Sequence, residues 1–127
     1  LNFDGETSVY LQYTCARASS VLAKAEAEGI AVDEAPDLAP CDAEAELIKQ
    51  LALFPETVVQ AAEKYEPSLI SRFCLDTAKL FNKFYLECKI LQAEGDVRSF
   101  RLALTKATLT TLKKGLTLLG IGVPEKM

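Results

Sequence analysis

The chain has 127 residues, half of them apolar and a quarter charged, and carries a formal net charge of −4. That length suits one compact domain burying roughly two thirds of its unfolded surface. No apolar run approaches the roughly 18 residues of a membrane span, and no charged-then-apolar leader opens the chain, so a cytoplasmic domain with no membrane partner is expected.

Every periodic segment repeats at the helical period, and no stretch alternates with a period of two, so the expected fold is all-α, a bundle of about five helices within one domain over residues 1–127. Thr7 or Ser8 is placed to cap a first helix that runs to about Glu28 and stops at Gly29. The stretch IAVDEAPDLAPCD, with two prolines and three aspartates, reads as an extended loop. Asp42 is then placed to cap a short helix ending near Leu53, and Pro55 suits the first turn of the next, where a missing N–H costs nothing.

Pro67 opens a long fourth helix that ends before the turn AEGD. Asp96 is placed to cap the last helix, with Gly120 just past its end. Gly115, inside that helix, costs about 1 kcal/mol relative to Ala, and so marks a close helix crossing.

Turning each residue of the first helix by about 100° gathers Leu11, Cys15, Ala18, Leu22 and Ala25 into one apolar stripe. Tyr10, Tyr13, Arg17 and Lys24 form a separate strip, with Tyr13 roughly opposite the stripe. Two readings of that strip stand side by side. Either it is a platform on which unpaired bases stack between an aromatic face and a guanidinium, or a further layer of helices covers it and the tyrosines are core.

In the fourth helix Leu69, Ile70, Phe73, Leu80, Phe81, Phe84 and Cys88 form a broad apolar arc with Tyr85 at its edge. Arg72, Lys79 and Lys83 gather on another face, where they are either ordinary solvated charges or contacts for a polyanion. The overall acidity hides an asymmetry that is compatible with either use. Residues 1–50 sum to −7 and residues 51–127 to +3.

Enzymatic chemistry finds little support. With no histidine the commonest general base is missing, and there is no Gly-rich phosphate loop, G-x-S-x-G or H-E-x-x-H. The carboxylates of EAEAE read as a solvated acidic face. Cys15, Cys41, Cys74 and Cys88 contain no C-x-x-C pair and fall beside apolar positions, so they are expected to pack as small hydrophobes in a reducing compartment, with no metal.

Three segments combine into a specific resemblance. GETSVYLQYTCAR resembles the motif G-(D/E)-T-x-x-Y-(L/V)-Q-Y-x-x-x-R that opens the C-terminal helical domain of arginyl-tRNA synthetases, the DALR anticodon-binding domain. LFNKFYLECKIL resembles that domain's F-N-x-F-Y segment, and the stretch from Arg101 to Met127 is similar to its closing helix and its tail L-L-G-I-x-x-P-x-x-M. The resemblance spans nearly the whole chain in the family's order.

What the resemblance implies is an α-helical module that grips the anticodon stem-loop of an arginine tRNA and does no catalysis itself. A catalytic domain would lie upstream in the same chain and use ATP and arginine, whereas the module itself needs no cofactor and no DNA. The opening residue, Leu1 in place of Met, fits a piece of a longer polypeptide. The family's base contacts map onto Tyr13, Arg17 and Met127, with Tyr85 assisting; Arg72, Lys79 and Lys83 would follow the RNA backbone.

Two positions depart from the family pattern. Cys15 stands where histidine is common, and Phe73 where a tyrosine is usual. Two other readings remain beside this one. The first is a helical module that docks a protein and touches no RNA, which the acidic N-terminal half would suit. The second is the related domain of a cysteinyl enzyme.

Overall fold

The computed structural model describes residues 5–32 and 36–123, and among these every regular element is a helix. They run in the order α1 (Gly5–Ala27), α2 (Asp42–Ala52), α3 (Phe54–Lys64), α4 (Ser68–Glu87) and α5 (Gly95–Leu118). About five helices were expected, and five are present among the described residues. The described parts of the loop between α1 and α2 hold no helix, as its prolines and aspartates predict.

The starts of three helices differ from expectation. α1 already runs from Gly5, which places Thr7 and Ser8 inside its first turn. Asp42 is the first helical residue of α2, and Cys41, with extended backbone, stands at the cap. The capping bond comes instead from Glu44, whose Oε1 accepts the Cys41 N–H at 2.8 Å. Likewise Glu94 precedes α5 in an extended conformation, and Asp96 falls in the first turn, where its charge meets the positive end of the helix dipole.

The ends follow the glycines. Gly29 and Gly120 take left-handed backbone with φ of 74° and 77°. In each case the next N–H reaches back five residues, Ile30 to Ala25 O and Ile121 to Leu116 O, both at 2.9 Å. α3 closes in the same manner on Tyr65, a non-glycine at φ 54°.

α4 lies at the centre and packs against all four other helices, while α1 packs against α5 and α4. The core joins Leu11, Cys15 and Ala18 of α1, Leu47 of α2, Phe81 and Phe84 of α4, and Leu102, Leu112 and Leu116 of α5, all fully buried. Gly115 marks a close crossing of α5 with α4 and the start of α3. A Cβ there would sit 2.5 Å from Cys74 Sγ and 3.8 Å from Phe54 and Ile70 carbons.

Three of the cysteines pack as small hydrophobes, but Cys41 is exposed at the α2 cap, its Sγ 3.7 Å from Cys88 Sγ. The reason is local: the cap position must face the open end of its helix. Glu44 is buried and carries an ion pair with Arg101 (2.9 Å), whose Nη1 also donates to Lys89 O at 2.7 Å. Through these bonds one side-chain pair ties the start of α2, the exit of α4 and the body of α5.

Candidate nucleic-acid interface

Tyr10, Tyr13, Thr14 and Arg17 follow the i, i+3, i+4, i+7 spacing that puts side chains on one helical face, and Asn82 and Tyr85 do the same on α4. Where α1 packs on α4 these two short rows meet. Arg17 Nη1 donates to Asn82 Oδ1 at 2.8 Å. Asn82 Nδ2 donates to Tyr10 Oη and to Thr14 Oγ1, each at 3.0 Å, and Thr14 Oγ1 donates to Tyr10 O at 2.9 Å.

The guanidinium of Arg17 lies 4.3 Å from the ring centroid of Tyr85 and 5.3 Å from that of Tyr13. Both are within the ~6 Å over which an aromatic face attracts a cation. Tyr13 keeps 51% of its surface exposed and Tyr85 37%. Tyr10, by contrast, packs half-buried against the core. The strip divides between the two environments: Tyr10 belongs to the packed layer, and Tyr13 faces solvent.

A groove begins at this aromatic pair and continues between α1, the exit of α4 and α5. Its cations are Arg17, Lys24, Lys89 and Lys113, and Glu26 is the acid on its rim. Ser20 and Gln92 add hydrogen-bonding groups, and Leu86 and Ile90 add apolar walls. The surplus of cations gives this face the opposite sign to the chain as a whole.

Of the residues expected from sequence, Tyr13, Arg17 and Tyr85 come together as one cluster. Met127 lies outside the described residues. Gln12 Nε2, beside Tyr13, donates to Gly122 O at 2.8 Å, so the segment leaving α5 is fastened next to the cluster. Arg72, Lys79 and Lys83 are exposed on α4 but do not line the groove. Lys83 is ion-paired with Glu46 of α2 at 3.2 Å, and that carboxylate, with Glu87 and Asp42 nearby, raises its ammonium pKa.

Cys15 is buried, as its place on the apolar stripe predicts. Burial raises its thiol to about 11, with Lys113 pulling weakly the other way. Phe73 is buried with its ring 5.4 Å from that of Phe54. Among the described residues no group of three or more His, Cys, Asp or Glu is arranged to hold a metal ion, and no helix is long and apolar enough to cross a membrane.

Sequence reasoning missed Asn82, Thr14, Lys89 and Lys113. For Asn82 a signal existed: asparagine inside a helix costs several tenths of a kcal/mol relative to Ala, so an interior one suggests side-chain hydrogen bonding. The two lysines lie on different elements, one past the end of α4 and one on α5, and no single-helix projection brings them together.

The chain belongs to the family described as the DALR anticodon binding domain, which it matches over residues 11–127. Its relatives include the arginine–tRNA ligases of Halothermothrix orenii, 46% identical over 127 residues, and Pyrococcus furiosus, 43% identical over 133 residues. All of this chain is covered in each case, but only 22% and 21% of those ligases. Among solved structures, Thermus thermophilus arginyl-tRNA synthetase superposes with a TM-score of 0.86 at 36% identity, covering 99% of this chain and 22% of that one. The chain thus spans about a fifth of the length of the relatives it matches.

Proposed function

We propose that this chain is the anticodon-binding module of a longer arginine–tRNA ligase and holds the anticodon loop of an arginine tRNA against Tyr13, Arg17 and Tyr85. The observation that carries the reading is the Arg17 guanidinium, held at Tyr85 beside the half-exposed ring of Tyr13. A base turned out of the loop stacks on that aromatic surface for about 1–3 kcal/mol. Arg17 has five N–H donors and spends one on Asn82, which leaves others for a base edge or a phosphate.

Lys24, Lys89 and Lys113 offer the groove to the RNA backbone, with Arg72, Lys79 and Lys83 as outer phosphate contacts and Met127 as a further base contact that the family resemblance implies. Binding energy gathered here would orient the tRNA for aminoacylation in a separate catalytic part of the parent protein, which uses ATP and arginine. The parent acts in the cytoplasm, and the module itself needs neither cofactor nor metal.

The test is fluorescence titration of an arginine anticodon stem-loop at low and moderate salt, with wild type and Arg17→Ala. The expected result is salt-sensitive binding that weakens in the variant and for a loop with altered anticodon bases. A cysteine stem-loop should bind no better than the altered loop. Equal binding of all loops would leave only charge attraction and would favour a protein-docking role.

A further inference from the structure

Asn82 sits in the interior of α4, within the seam between α1 and α4, with all its side-chain polar atoms engaged. The chemistry of its neighbours fixes which way its amide points. A guanidinium can only donate, so the atom facing Arg17 must be the carbonyl oxygen. The Thr14 hydroxyl spends its proton on Tyr10 O and presents lone pairs, so the atom facing it must be the NH₂. Flipping the amide would set donor against donor at Arg17 and acceptor against acceptor at Thr14. One orientation satisfies every group.

On the basis of the anticodon-binding reading, we infer that Asn82 is a positioning residue: it anchors the inner edge of the Arg17 guanidinium at Tyr85 so that the outer edge is presented, fully charged, to the RNA. Nothing else among the hydrogen bonds described holds that guanidinium. Without the anchor a long, flexible side chain samples many rotamers, and binding must order it afresh. A neutral amide suits the task better than a carboxylate. Both accept from Arg17, but only the amide leaves its positive charge available to a polyanion.

The experiment is a double-mutant cycle in the chain, read by titration of the arginine anticodon stem-loop. Circular dichroism melts of each variant run in parallel. Asn82→Ala should weaken binding about tenfold, the loss of one charge-assisted hydrogen bond. In an Arg17→Ala background, Asn82→Ala should change affinity little further while still lowering the melting temperature, because its effect on RNA passes through Arg17.

Asn82→Asp supplies a second probe, whose melting curve shows whether the Thr14 hydroxyl turns to donate to the new carboxylate oxygen in place of Tyr10 O. Its carboxylate still engages Arg17 and can accept from the Tyr10 hydroxyl, yet binding should weaken and the salt slope should fall by about one charge. Additive losses in the cycle, or an Asn82→Asp variant that binds like wild type, would overturn the inference. If Arg17→Ala itself binds like wild type, the anticodon reading fails first, which separates the two failures.

Discussion

Tyr13 and Arg17 lie one helical turn apart yet answer to different neighbours. Tyr13 spends little on the fold, since half its surface is in solvent. Tyr13→Ala should therefore leave the thermal midpoint within a degree or two while weakening stem-loop binding by about tenfold or more, the worth of one stacked base. Arg17→Ala releases the Asn82 carbonyl to water at a partly exposed site, so it should cost under about 1 kcal/mol of stability and still lower affinity. Melting of the domain by either substitution would show that the side chain belongs to the core, contrary to its exposure. The exposure of Tyr13 was legible because that residue opposes the apolar stripe of α1. Asn82 was not, because periodicity sorts residues by polarity and cannot report which polar side chain on one helix meets which on another.

Helix ends teach a related lesson. The glycines at 29 and 120 were readable because a left-handed helix end favours the one residue without a Cβ, and the Pro55 turn because a fixed φ suits a first helical turn. Asp42 and Asp96 misled because an acid satisfies the first turn from several positions, and at α2 the working cap bond comes from Glu44. That carboxylate carries more than a cap. Glu44→Ala would strip Arg101 of its ion pair and Cys41 N–H of its acceptor, and should lower unfolding stability by about 2–3 kcal/mol in urea titration. Gly115 makes the matching argument from space. Gly115→Ala gains about 1 kcal/mol of helix propensity but drives a methyl into Cys74 Sγ, where overpacking costs typically 1–3 kcal/mol. A net loss of up to about 2 kcal/mol is expected, and pairing it with Cys74→Ala should recover most of that loss. Additive losses would mean that the sulfur is not the obstacle.

Across the whole molecule, titratable groups set limits on stability at both ends of the pH range. Burial raises the Cys15 thiol to about 11 and the Cys74 thiol to about 12, the neighbouring Cys15 pushing the latter further, from an ordinary 9.0. Above pH 9 the unfolded chain sheds these protons first, so the folded state loses ground by up to about 1.4 kcal/mol per pH unit per thiol until each folded value is passed. Glu44 acts at the other end. Burial pushes its carboxyl up, but the bonds from Cys41 and Arg101 outweigh burial and leave it below its ordinary 4.5. Its contribution is present above that value and fades as pH falls through the lower folded one. Urea midpoints measured from pH 3 to 11 should form a plateau between about 5 and 9 and fall on both sides. In a Cys15→Ala, Cys74→Ala variant the alkaline fall should flatten.

The bond between Gln12 and Gly122 joins residues 110 positions apart, and α1 finds its main packing partner in α5. A ribosome delivers α1 first and α5 last, so Leu11 and Cys15 have no complete burial until synthesis of the segment is nearly over. Local helices form in microseconds, but this closure must wait for the chain to be made at about 5–20 residues per second. For seconds, then, the nascent chain exposes the apolar stripe of its first helix and presents no finished groove between α1, α4 and α5. A product truncated within α5 would remain in that condition and attract chaperones and proteases.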